Sequence, residues 1–142
     1  MDRFAPLLEK AGSLQDPSRV IITGSVAGIG IGTAGGENST PGYSVSKAAA
    51  LHLARVLAIE LAPRHILVNS IAPGFFPSKM ANGLMDALGG QEALAKDSPN
   101  GRLGQAEDIA GAVVYLSSRA GGHLNGATLV LDGGKVLAGA KL

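Results

Sequence analysis

Three short runs without polar alternation set the limits on what this chain can become: Arg19-Val20-Ile21-Ile22-Thr23-Gly24, His65-Ile66-Leu67-Val68-Asn69-Ser70-Ile71 and Ala127-Thr128-Leu129-Val130-Leu131. Each closes on a turn signal, respectively Gly24, Pro73-Gly74 and Asp132-Gly133-Gly134. A strand that is apolar on both sides needs a cover on both sides, which is the situation of a parallel sheet between helices. Helix-length segments separate the runs. An Ala-rich helix is expected from about Gly42 to Leu61, stopped near Pro63, and a second over Glu107 to Ser117. Gln105, Glu107 and Asp108 suit the positive end of the second helix. Residues 78 to 97 read as mixed helix and loop, and Phe4 to Lys10 as the tail of a helix that Gly12 stops. Strand, helix, strand, helix, strand predicts an α/β fold made of right-handed βαβ units.

Composition agrees with one packed domain and narrows its partners. The 142 residues are 46% hydrophobic and 16% charged, enough apolar material for a core. Net charge is +1 with no basic run, which disfavours a nucleic-acid partner. No run approaches the ~18 apolar residues that a membrane span requires, and no leader is visible, so a cytoplasmic location is expected. Without cysteine there is no disulfide, thiol catalysis or cysteine metal site. His52, His65 and His123 are scattered, without ligand spacing.

The chemistry concentrates at Tyr43-Ser44-Val45-Ser46-Lys47. Tyr43 and Lys47 are four apart at the start of a helix and therefore share a face. A free phenol is a poor base at neutral pH, and an ammonium beside it favours the phenolate. Ser25, at the end of the first strand, is the best candidate to hold a substrate oxygen, because strand C-termini of a parallel sheet open into the ligand crevice. A Tyr-x-x-x-Lys spacing alone is common by chance. Its weight comes from context: a strand ending in Ser, a Gly-rich loop, the Tyr/Lys helix, then a strand ending Asn-Ser-Ile-Ala-Pro-Gly.

That ordered set resembles the short-chain dehydrogenase/reductase family. The matching pieces are Ile22-Thr23-Gly24-Ser25, Tyr43 to Ala49, Val68-Asn69-Ser70-Ile71-Ala72-Pro73-Gly74, Gly101-Arg102-Leu103-Gly104 with Glu107-Asp108-Ile109-Ala110, and Leu124-Asn125-Gly126 through Gly134. The resemblance implies a partial Rossmann-like, doubly wound parallel sheet, about three strands of the C-terminal half. It implies Ser25, Tyr43 and Lys47 as catalytic residues, with Tyr43 the proton donor in reduction and Lys47 holding the nicotinamide ribose. Pro73 and Gly74 would lie beside the nicotinamide of NADP or NAD, with the Phe76 backbone and Ser78 contacting its carboxamide. Phe75-Phe76-Pro77-Ser78-Lys79-Met80 is similar to the reductases of 3-oxoacyl thioesters. The expected substrate is thus a small carbonyl compound or alcohol, an acyl thioester among the options.

Departures from the family pattern are as informative. The first half of the family's domain, with its Gly-rich cofactor turn, has no counterpart, so residues 1–142 are expected to form one truncated domain in which cofactor binding is in doubt. Thr23-Gly24-Ser25-Val26-Ala27-Gly28-Ile29-Gly30 spells T-G-x-x-x-G-x-G, but a true fingerprint opens a helix, and Gly32, Gly35, Gly36, Pro41 and Gly42 follow. Coincidence on the catalytic-serine strand is the favoured reading; fusion of a first strand to the catalytic helix is the other. The stretch around Thr33 to Ser39 reads as an insertion before Tyr43.

Two readings concern the rest of the molecule. The Gly42–Leu61 helix is apolar on more than one side, which suits a sheet on one face and a second subunit, as in a homo-oligomer, on the other. Ala140-Lys141-Leu142 is a close variant of the Ser-Lys-Leu peroxisomal address, to be weighed against a frayed terminus. A non-catalytic fragment, or a dimerisation partner of a full-length relative, stands as the alternative to an oxidoreductase.

Overall fold

The computed structural model describes residues 3–31, 40–79 and 81–139. The Thr33–Ser39 stretch and the Ala140-Lys141-Leu142 terminus lie outside the described residues. The elements follow the order α1 (Ala5–Ala11), β1 (Ser18–Thr23), α2 (Pro41–Leu61), β2 (Ile66–Pro73), α3 (Asn82–Ala87), α4 (Gly90–Lys96), α5 (Ala106–Ser117), β3 (Thr128–Leu131) and α6 (Lys135–Gly139), with 3-10 turns at Val26–Gly28, Ala62–Arg64 and Arg119–Gly121.

The strands form one parallel sheet in the order β1-β2-β3. Ser18 faces Ile66 and Thr23 faces Ile71; Ser70 faces Thr128 and Pro73 faces Leu131. This register brings the ends of β1 and β2 to one edge, where Thr23-Gly24-Ser25 and Pro73-Gly74 leave the sheet. The expected three-strand Rossmann-like sheet is therefore present.

Successive strand residues point to opposite faces. Val20, Ile22, Ile66 and Val68 fall on one face and pack against Leu8 of α1 and Ala54, Leu57, Ala58 and Leu61 of α2. Alanines at 54 and 58 let α2 lie close to the sheet. The other face belongs to α5: Arg19 donates to the Ser118 carbonyl at 3.4 Å, and Ile71 and Ile109 line a common cavity. The sheet is thus wound on both sides.

This arrangement corrects one expectation. The two connections step the same way across the sheet, β1 to β2 to β3, yet their helices α2 and α5 cover opposite faces. Two such crossovers have opposite hands, so they are not both right-handed. The preference for right-handed crossovers arises when a strand feeds directly into one helix that packs back on the sheet. The β2–β3 connection carries α3, α4 and α5, and its length relaxes that restraint. A smaller difference lies at His65, expected to begin β2: it is left-handed, with φ 55°, and ends the Ala62–Arg64 turn.

Two buried or bridging asparagines fasten the β3 approach to the core. Asn69 donates from Nδ2 to the Leu124 carbonyl at 2.8 Å and accepts at Oδ1 from the Ala127 N–H at 3.0 Å. Asn125 accepts at Oδ1 from the Val68 N–H at 2.9 Å and donates from Nδ2 to the Ala58 carbonyl at 2.8 Å. Val68 and Ala58 are both buried, so removing the Asn125 amide leaves two backbone groups without their partner. Each such group costs roughly 1–3 kcal/mol. Asn125→Ala is expected to lower the unfolding free energy by about 2–4 kcal/mol in urea titration, with the slope against denaturant unchanged.

Candidate active site

The site begins where β1 runs out beneath the first turns of α2. Pro41 and Gly42 open the helix, so Tyr43 and Lys47 stand in its first two turns. Gly24 and Gly28 bring the chain after β1 against that helix. A Cβ on Gly24 would lie 2.4 Å from the Leu51 side chain, and one on Gly28 would lie 2.6 Å from backbone atoms of Lys47 and Ala48. Neither contact leaves room for a side chain. Ser25 between them is buried, extended, and caps the Val26–Gly28 turn, its Oγ accepting from the Ala27 N–H at 3.2 Å.

Lys47 ties the two elements together. Its Nζ donates to the Thr23 carbonyl at 3.2 Å and lies 5.5 Å from the centre of the Tyr43 ring, within the range of a cation–π contact. Tyr43 is 39% exposed. Among the described residues its hydroxyl forms no hydrogen bond to Ser25 or Lys47; the three residues share one sheet edge, bridged through Lys47 and Thr23.

Beside this edge lie two cavities. The larger, of about 620 Å³, is lined by Thr23, Ile71, Pro73, Phe76, Gln105 and Ile109, among others. The smaller, of about 300 Å³, reaches from Val26 and Gly74 to Asn100, Arg102 and the Gly133-Gly134 turn. Of the sequence-predicted positions, Pro73 faces the larger cavity, Gly74 the smaller and Phe76 both. Gly74 is also fixed by its N–H, which donates to the Leu131 carbonyl at 2.9 Å. Ser25, Tyr43 and Lys47 line neither cavity, and neither does Ser78, which is exposed and whose Oγ accepts from the Ala81 N–H at 3.1 Å ahead of α3.

The sequence reading did not assign Gly104, Gln105, Ala106 and Ile109 to this crevice. They come from a loop and helix start far along the chain, and only the α5 packing brings them to the β1–β2 edge. Asp108, read as a helix-start residue, is that. Its carboxylate accepts from the Gln105 N–H at 2.8 Å and takes two hydrogen bonds from the Arg102 guanidinium at 2.7 and 2.9 Å. The Arg102 hydrogen bonds, then the Gln105 N–H, hold the carboxyl down at about 2 from its ordinary 3.8.

Which part of a dinucleotide these residues fit follows from the same geometry. The larger cavity falls within the usual size of small-molecule sites and offers Pro73 and Phe76 as walls for a flat ring. The segment after Thr23 forms a 3-10 turn, and Gly28 is spent against α2, so none of its glycines opens a helix among the described residues. The walls of the larger cavity fit a nicotinamide ring; the segment after β1 supplies no glycine turn that opens an α-helix to grip a pyrophosphate.

The family model described as enoyl-(acyl carrier protein) reductase matches residues 3–135. The chain belongs to the short-chain dehydrogenase/reductase family. It is 41% identical over 134 residues to the rhamnolipids biosynthesis 3-oxoacyl-[acyl-carrier-protein] reductase of Pseudomonas aeruginosa, covering 94% of this chain and 51% of that one. It is also 41% identical over 120 residues to the 3-oxoacyl-[acyl-carrier-protein] reductase FabG of the same organism, covering 84% and 46%. Among solved structures, the Pseudomonas aeruginosa RhlG/NADP active-site complex superposes with a TM-score of 0.79 at 42% identity, over 92% of this chain and 51% of that one. A gluconate 5-dehydrogenase from Burkholderia cenocepacia in complex with NADP and tartrate gives 0.77 at 28% identity, covering 92% and 48%. The chain spans about half the length of these short-chain dehydrogenase/reductase relatives.

Two outcomes follow from this packing. Gly28→Ala forces a methyl group into the backbone of α2, and overpacking of this kind costs typically about 1–3 kcal/mol; a drop of that size in urea titration is expected. For Asp108, the depressed carboxyl contributes stability in full above its unfolded-state value of 3.8, and that contribution is lost as pH falls through about 2. Asp108→Asn should therefore melt lower than the parent chain at pH 7, and the two melting curves should converge as the pH approaches about 2.

Proposed function

We propose that this chain carries the catalytic half of an NADP- or NAD-dependent oxidoreductase that interconverts a carbonyl compound and an alcohol, with Tyr43 as general acid/base. On this reading residues 1–142 form one Rossmann-like domain without the dinucleotide-gripping half. The observation that carries it is the Lys47 ammonium placed over the Tyr43 ring and hydrogen-bonded to the Thr23 carbonyl, next to Ser25.

In reduction, the Ser25 hydroxyl holds the substrate oxygen and the Tyr43 hydroxyl gives it a proton. A reduced nicotinamide, when bound, supplies the hydride to the carbonyl carbon. Lys47 steadies the negative charge left on the Tyr43 oxygen until solvent returns the proton, and in oxidation the same groups run in reverse. Pro73 and Phe76 would wall the place of the flat ring, and Lys47 would hold its ribose. Gly74 lines the smaller cavity, and the Ser78 hydroxyl is bonded in the turn before α3. A 3-oxoacyl thioester is the favoured substrate class, supported by the two Pseudomonas aeruginosa relatives whose names specify it.

A second reading has its own observation. Val45, Leu53, Val56 and Ile59 of α2 are exposed, Ile59 by 78%. They support a role in which this helix joins a second copy, or a full-length relative, without turnover by this chain.

Titration of the purified chain with NADPH and NADH, followed by nicotinamide fluorescence, separates the two. The oxidoreductase reading expects saturable binding, weakened about a thousandfold by loss of the adenosine-side contacts, which corresponds to ~4 kcal/mol. It also expects Tyr43→Phe to keep that binding while lowering turnover by about 10²–10⁴. Dimerisation without any nicotinamide signal would leave the second reading in its place.

A further inference from the structure

The two cavities at the sheet edge share only two lining residues, Phe76 and Gly104. These two are in contact. A Cβ on Gly104 would lie 2.3 Å from Cε1 and Cζ of the Phe76 ring, so the ring tip rests on the glycine with no space between. The neighbouring backbone is pinned as well, the Gly104 N–H donating to the Phe75 carbonyl at 3.0 Å.

We infer that the Phe76 side chain is a positioning residue: seated on Gly104, it is the septum that confines a flat ring to the larger, Pro73-lined chamber and keeps it out of the smaller chamber toward Gly133-Gly134. The chambers differ in character, which gives the division a purpose. The larger is walled by Ile71, Pro73, Pro77 and Ile109. The smaller carries the polar groups Asn100, Arg102, Asp132 and Lys135. Arg102 is paired with Asp108 and Lys135 with Asp97, while the Asp132 carboxylate accepts from the Gly134 and Val136 N–H groups, so that chamber is polar and charged where the larger is mostly apolar. The inference rests on the proposed function in taking the larger chamber as the place of a nicotinamide ring, and it adds that the Phe76 side chain, rather than its backbone alone, decides where that ring stops.

Gly104 gives the cleanest perturbation. It has no positive φ, and the atoms its methyl would meet are the far end of one side chain. Gly104→Ala should therefore fold and lift the ring, while Phe76→Ala removes it. The probe is free nicotinamide, titrated into the full chain and both variants while backbone amide resonances are followed. In the parent chain the shifts should be confined to Thr23, Ile71, Gln105 and Ile109. In Phe76→Ala and Gly104→Ala, shifts at Gly133, Gly134 and Lys135 should grow from none to the size seen at Ile71. Phe76→Leu, which keeps an apolar wall, should return the pattern toward the parent. Shifts on both sides of the parent chain, or confinement that survives both variants, overturn the septum and leave the oxidoreductase reading to its own NADPH titration. Absence of shifts in either chamber overturns the septum together with the placement of the ring.

Discussion

The candidate site depends on how closely the first turns of α2 approach the end of β1. Sheet and helix are joined there by space that only glycine leaves: Gly24 under Leu51, and Gly28 under the backbone of Lys47 and Ala48. With that approach, the Lys47 ammonium reaches the Thr23 carbonyl and still lies over the Tyr43 ring. A methyl group at Gly28 would force the turn and the helix apart by a fraction of an ångström to an ångström, enough to degrade a 3.2 Å hydrogen bond. The arrangement of the proposed catalytic groups is therefore a packing result before it is an electrostatic one.

The second edge of the crevice is fixed by different means. Where β2 meets β3 the contacts are polar: Asn69 bonds both ends of the Leu124–Ala127 turn, Asn125 within that turn bonds the Val68 N–H and the Ala58 carbonyl, and Ser70 and Thr128 share a hydroxyl hydrogen bond at 2.8 Å. These bonds set the height at which Pro73-Gly74 leaves β2, because the Gly74 N–H is paired with Leu131 in register. Directional bonds suit this edge. A buried amide with both ends satisfied tolerates little displacement, whereas an apolar contact would allow the turn to slide.

Legibility in the sequence followed the range of the interaction. The three strands, the α2 and α5 helices and the Tyr43–Lys47 pair were readable because periodicity, turn residues and a four-residue spacing are local signals. Asp108 was readable for the same reason, as an acidic group in the first turn of a helix. The opposite hands of the two crossovers were not, since they depend on which face α5 covers, and that is decided by contacts such as Arg19 with Ser118, 99 positions apart. The left-handed His65 carries a weaker residue-type signal than glycine would have done. Phe76 was readable as a candidate through its place after Pro73-Gly74, but its seat on Gly104 was not, because the two are joined only by the fold. Ser78 shows the converse: position relative to a motif put it near the crevice, while its hydroxyl is spent on the turn before α3.

One helix serves two faces, and this has a consequence for how the site would behave. Leu51, Ala54, Ala58 and Leu61 of α2 are buried against the sheet, while Val45, Leu53, Val56 and Ile59 look outward. Val45 lies between Tyr43 and Lys47 in the sequence, so its exposed side chain and the proposed catalytic pair share the same two turns. Helix ends fray unless tertiary contacts hold them, and the described contacts that hold this end are the glycine-permitted approach and the Lys47 hydrogen bond. A partner covering Val45 would restrain those turns from outside and narrow the range of Tyr43 positions. Catalytic geometry is sensitive to displacements on the order of 1 Å, so on the proposed reading association through α2 and turnover at Tyr43 would be coupled through the helix itself, with no contact between the partner and the substrate.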